Sequence, residues 1–204
     1  MNLPNKLTVA RCILAGIFVA LMSFPSVAAY VLAYLVFTAA AITDHYDGKI
    51  ARERNLITNF GKLLDPVADK VLVIAAFIML MKIEGLWIPG WTIVVILARE
   101  FLVTGARSLA AADGEVIAAN ASGKTKTVLQ MVYVFTFLLF AVLLQVRHEF
   151  PGVDAYLPGG PEPYLSGLAY GSLGGMVLVA LYTVYSGLHF ARVNWKILKL
   201  DNLS

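Results

Sequence analysis

Cysteine is nearly absent from the chain, with Cys12 the single example in 204 residues. No intrachain disulfide can form, and cysteine usage says nothing of the redox compartment. Charge is also scarce, at 14% of residues against roughly 25% in soluble domains. A net charge of +3 is too small to mark a nucleic-acid surface. No internal repeat, coiled-coil heptad or low-complexity tract breaks the pattern. What is present is apolar, with 59% hydrophobic residues and a mean hydropathy of +0.77. The apolar residues fall in runs long enough to cross a hydrocarbon core of about 30 Å.

These properties predict an all-α polytopic membrane protein, a bundle of six spans at roughly 7–24, 27–47, 66–84, 87–109, 126–146 and 164–190. At 204 residues there is room for this one domain and no sizeable soluble one. Lysine and arginine collect in 1–11, 48–62, 107–126 and 192–204, whereas 23–27, 82–90 and 147–163 hold only Lys82 and Arg147. The positive-inside rule then predicts both termini and the basic loops on the cytoplasmic side. The stretch "FPGVDAYLPGGPEPY" in 147–163 reads as an irregular outer loop. The start of the chain, with Lys6, Arg11, "CILAGIFVALMSF" and "SVAA", also has the layout of a cleaved signal peptide.

Against this background four aspartates stand out. Asp44 and Asp47 close the second apolar run, and Asp65 and Asp69 open the third. Aspartate at mid-bilayer costs about 2.5–3.5 kcal/mol, so four there would cost on the order of 10 kcal/mol. Counting from Val27 at about 1.5 Å per residue brings Asp47 to the inner boundary, and the next span returns from the same side. The spacings i,i+3 and i,i+4 set each pair on one side of its helix. Pro66 suits a first helical turn, with Asp65 as its cap. Gly48 and Ala51 leave room for a ligand close to the backbone.

Carboxylates gathered in one place repel, and a hard divalent cation removes the conflict. Mg²⁺ or Mn²⁺, two ions in such a site, could clamp a phosphoryl or pyrophosphate group for in-line displacement. The structural alternative makes the aspartates helix caps and partners for Lys49, Arg52, Lys62 and Lys70.

The stretch "DHYDGKIARERNLITNFGKLLDPVADK", Asp44 to Lys70, fits D-x-x-D-G-x-x-A-R, eight residues, then G-x-x-x-D-x-x-x-D. It resembles the signature of the CDP-alcohol phosphatidyltransferases at Asp44, Asp47, Gly48, Ala51, Arg52, Gly61, Asp65 and Asp69. The resemblance implies exchange of a phosphatidyl group between a CDP-linked lipid and an alcohol, with release of CMP. It further implies that the aspartates hold two metal ions and that Asp69 is the general base. Gly48, Ala51, Arg52 and Gly61 match positions that bind the CDP-lipid. A family of this kind is commonly homodimeric, and the charge pattern predicts a place in the cell's inner membrane, among membrane lipids, with the active site facing the cytoplasm.

The acceptor is read from other stretches. "NLPNKLTVAR" (Asn2 to Arg11), the "TNFGKLLDPVADK" form of the motif and "LAREFLVTGARSLAAADGEVIAANASGKTKT" (Leu97 to Thr127) are similar to the branch of the family that makes phosphatidylglycerophosphate. That similarity implies CDP-diacylglycerol and glycerol 3-phosphate as substrates, and it argues against signal cleavage. Arg99 and Arg107 lie eight apart, near one helix side, and a buried arginine needs an anionic partner. With Lys124 and Lys126 they could hold the acceptor's phosphate; the alternative is an internal pair with Glu100. Asn5, Thr8 and Arg11 recur along one side of the first helix and could border the cavity or anchor the helix at the interface.

Rival readings remain at this stage. A cardiolipin synthase or a phosphatidylinositol-phosphate-type enzyme shares the chemistry with another alcohol. Intramembrane prenyltransferases pair aspartates with Mg²⁺ at different spacing. A cation transporter would set its carboxylates nearer mid-membrane. "AANASGKT" is a poor P-loop, since Ala118 stands where the first glycine is required and no strand precedes it. His45, His148, His189 and the tryptophans fit interfacial roles better than ligation.

Overall fold

A computed structural model describes the backbone at 3–54, 59–112, 114–115, 117–118, 120–195 and 197, and the side chains at 9–43 and, from 70 onward, within those ranges. Among the described residues the regular structure is helical throughout. The helices are α1 (Leu3–Met22), α2 (Val27–Arg54), α3 (Asn59–Met81), α4 (Gly90–Ala112), α5 (Ala121–Glu149) and α6 (Glu162–Val193). A 3₁₀ turn, Pro151–Tyr156, precedes α6 within what reads from sequence as an irregular loop. Arg147 ties it down by two bonds to the Asp154 carboxylate, at 2.7 and 3.0 Å.

Helix ends follow local chemistry in some places and distant partners in others. Asn120 caps α5 by accepting the Gly123 N–H through Oδ1 at 3.0 Å. Gly85, at φ +91°, makes the turn after α3 that a β-carbon would strain. At the start of α2, the Val27 N–H donates to the Glu149 carboxylate at 2.6 Å. That acceptor comes from the far end of α5, so no local pattern announces it.

Two helices run well past their expected limits. α2 continues from Asp47 to Arg54, and α3 begins at Asn59 rather than at Pro66. Asp65 is therefore not a helix cap, and Pro66 lies about two turns inside α3 rather than in its first turn. Hydropathy marks where a helix leaves an apolar phase, which is not where its backbone hydrogen bonds end.

The chain divides into two compact units, Met1–Leu86 with Val134–Ala169, and Trp87–Tyr133 with Tyr170–Ser204. In the first, α1 packs on α2 and α3. Its buried stripe of Arg11, Ala15, Phe18 and Met22 recurs at helical spacing. Phe37 fills the centre, its ring 5.6 Å from that of Phe18 and 5.2 Å from that of Phe135.

The second unit buries polar groups. Lys126, Gln130 and Tyr133 form the inward stripe of this part of α5, and Ser172, Thr183 and Ser186 are fully enclosed on α6. Leu102 and Leu109, by contrast, are each 72% exposed. Polar inside and apolar outside inverts the soluble pattern and suits helices whose surroundings are hydrocarbon.

Among the described residues, α5 and α6 are long and apolar enough to cross a membrane. Shorter apolar stretches cover Val9–Met22, Val27–Thr43 and Lys70–Met81.

Candidate active site

The acidic quartet is carried by continuous helix. Asp44, Asp47, Gly48, Ala51 and Arg52 are on α2, and Gly61, Asp65 and Asp69 are on α3. Their side chains, like those of Asn5, Thr8 and His45, lie outside the described residues. Backbone register still decides one matter. None of the four aspartates occupies a helix end, so capping does not account for any of them. Each pair keeps its i,i+3 or i,i+4 relation because the helix runs through it without a break. Two carboxylate pairs without capping duty, in a chain with few charges, are a donor set suited to hard divalent cations.

The expected acceptor residues divide into distinct environments within the second unit. Arg99 is nearly enclosed on α4. Its Nη1 donates to Glu100 Oε1 at 3.2 Å and its Nη2 to Ser186 Oγ on α6 at 2.9 Å. Gly187 makes this approach feasible, since a β-carbon there would meet Arg99 Cγ at 3.0 Å. Lys126 reaches across from α5 and donates to the same Glu100 carboxylate. Arg107, two turns further along α4, lies with its guanidinium carbon 5.3 Å from the Phe190 ring centre. Its Nε is buried and, among the described residues, has no hydrogen-bond partner. Lys124 is exposed.

In the first unit, Arg11 is only 6% exposed and sits on the inward stripe of α1. Elsewhere His189 stacks on Tyr185, with ring centres 6.0 Å apart. Trp87 and Trp91 are more than half exposed.

Several residues of this arrangement escape sequence reasoning. Ser186, Gly187 and Phe190 lie in an apolar helix with no motif around them. The available signal was indirect: a Ser-Gly pair in a long hydrophobic helix marks a point of close approach. Glu100 enters from sequence only as a neighbour for Arg99, whereas the fold makes it the junction of α4 and α5.

An all-helical chain with apolar outward residues, buried cations and two uncapped carboxylate pairs has the makings of an intramembrane enzyme acting on anionic groups. The chain belongs to the CDP-alcohol phosphatidyltransferase family, whose pattern matches residues 1–154. A protein of Bacillus subtilis (strain 168) named CDP-diacylglycerol–glycerol-3-phosphate 3-phosphatidyltransferase is 38% identical over 213 residues, covering 98% of this chain and 99% of its own. A protein of the same name from Rickettsia bellii (strain RML369-C) is 46% identical over 130 residues, 64% of this chain and 71% of its own. One from Salmonella paratyphi A (strain ATCC 9150 / SARB42) is 39% identical over 133 residues, 64% of this chain and 73% of its own.

Proposed function

We propose that this chain transfers a phosphatidyl group from CDP-diacylglycerol to sn-glycerol 3-phosphate, giving phosphatidylglycerophosphate and CMP, as a step in phospholipid biosynthesis. The observation that carries the reading is similarity along nearly the whole of both chains to a relative named for that reaction. The eight-position signature on α2 and α3 supports the CDP-lipid half of it. The nearly enclosed Arg99 and Lys126 and the half-buried Arg107, with Lys124 nearby in sequence, support an acceptor bearing phosphate.

In this mechanism the hydroxyl oxygen of the acceptor attacks the lipid-side phosphorus. The bond from that phosphorus to the oxygen of CMP breaks, and CMP leaves with the electron pair. Asp69 accepts the proton of the attacking hydroxyl. Arg52, with Gly48, Ala51 and Gly61, binds the cytidine diphosphate portion, where small residues let the nucleotide approach the backbone. Asp44, Asp47, Asp65 and Asp69 would hold Mg²⁺ or Mn²⁺, two ions that when bound would neutralise the charge of the pyrophosphate. Asn5, Thr8 and Arg11 border the polar cavity.

The same reading makes the molecule a single-domain bundle of six spans in the cell's inner membrane, with both termini and the active site on the cytoplasmic side. The apolar outward residues and enclosed polar ones support that setting. Acyl chains then stay among membrane lipids while glycerol 3-phosphate arrives from the cytosol. A homodimer is the expected assembly.

The test offers purified protein CDP-diacylglycerol with glycerol 3-phosphate, phosphatidylglycerol and inositol phosphate in competition, and identifies the lipid product by mass. Phosphatidylglycerophosphate is expected, formed with one CMP per lipid and lost on chelation of divalent ions. A cardiolipin or phosphoinositide product would overturn the acceptor, and CMP release indifferent to chelation would overturn the metal.

A further inference from the structure

The four cations grouped above for the acceptor are not equivalent, and Glu100 is what divides them. Arg99 has both ends of its guanidinium fork engaged, by Glu100 and by Ser186, and its stem is pressed against Gly187. A ligand gripped through the two Nη atoms would displace both bonds inside a nearly enclosed site, although the Arg99 Nε is buried without a hydrogen-bond partner among the described residues. Lys126, with a side chain only 6% exposed, is directed onto the same Glu100 carboxylate. Arg107 differs. A guanidinium held over an aromatic ring by cation–π attraction keeps its edge donors for an oxyanion such as a phosphate. Its Nε is buried and unpartnered as that of Arg99 is, but among the described residues no hydrogen bond or ion pair engages its Nη atoms either, so the whole edge is available to a bound phosphate.

We propose that Glu100 is a positioning residue for acceptor binding: it commits Arg99 to the α4–α6 contact and holds Lys126 in place, leaving Arg107 as the α4 cation that takes the acceptor's phosphate. The proposal rests on the reading that the acceptor is a phosphate monoester. Within it, Arg99 acts on the acceptor only through the fold, whereas Arg107 touches it.

The experiment uses the full chain in detergent, with glycerol 3-phosphate as the varied acceptor and thermal unfolding measured on the same samples. Glu100→Gln is expected to raise KM for glycerol 3-phosphate about tenfold while KM for CDP-diacylglycerol stays within about twofold. Glu100→Asp, which keeps the charge, should recover most of that loss. Arg107→Met should raise the acceptor KM by about 10–100-fold without lowering the unfolding temperature. Arg99→Met should lower the unfolding temperature and shift the acceptor KM no more than Glu100→Gln does. If Glu100→Gln does not fold, Glu100→Gln with Lys126→Met removes the uncompensated lysine and should show the same KM effect. An unchanged acceptor KM in the Glu100 variants would overturn the proposal. So would an Arg107→Met enzyme that handles the acceptor normally, or losses that follow unfolding temperature alone. Should the unaltered protein make no product from glycerol 3-phosphate, the proposed function fails instead, and the two failures are told apart by that control.

Discussion

At the scale of single residues, the chain separates charges whose meaning lies in spacing from charges whose meaning lies in contact. Asp44, Asp47, Asp65 and Asp69 belong to the first kind, because a helix converts i,i+3 and i,i+4 directly into register. Asp69→Asn is expected to abolish CMP release while CDP-diacylglycerol binding persists, measured on the same purified sample; release near the unaltered rate would remove Asp69 as the base. Arg99 belongs to the second kind. That it needs a partner follows from its place in an apolar helix, but Ser186, 87 residues away, does not. Gly187 offers a stability test of this contact. A methyl there would meet Arg99 Cγ at 3.0 Å, so Gly187→Ala should cost about 1–3 kcal/mol by overpacking. A lower thermal midpoint is the expected reading, and an unchanged one would mean that Arg99 yields without loss.

Helices as whole elements were legible in number and order, but not in length. Each predicted span corresponds to one of α1 to α6. The start of α2 agrees with the sequence, but its C-terminal end and the start of α3 lie beyond the apolar runs, in the charged stretches "DGKIARER" and "NFGKLLD", where hydropathy no longer marks a helix. Lysine, isoleucine, alanine, arginine and glutamate all sustain a helix once its backbone bonds are in place. The aspartates consequently sit inside helices, and the capping alternative is lost with the expected boundaries. Packing between elements has its own test at Phe37, fully buried on α2 between the rings of Phe18 and Phe135. Phe37→Ala should destabilise the first unit by about 3–5 kcal/mol, through lost burial and the cavity left behind. Denaturation in detergent measures it, and a loss below about 1 kcal/mol would mean that neighbouring helices collapse into the space.

For the molecule as a whole, the proposed orientation rests on the distribution of lysine and arginine, and the scarcity of cysteine makes it measurable. With Cys12 replaced by serine, Glu84→Cys and Glu115→Cys each provide one exposed thiol. A membrane-impermeant maleimide should label the thiol at 84 in intact cells, and the thiol at 115 only after permeabilisation. The reverse pattern would invert the proposed topology and move the aspartates to the other side.

Composition and spacing alone determined that the chain is helical and apolar, and which residues form the acidic signature. Those properties are local: hydropathy sums over one segment, and helical periodicity turns sequence distance into angle. Only the tertiary structure decided how the buried cations are employed. Glu100 meets Lys126 across 26 residues and Arg99 meets Ser186 across 87. Those partners depend on which helices come within a side chain's reach. In an apolar interior an ionic group is satisfied by whatever polar atom the packing brings near it, and no local pattern encodes that.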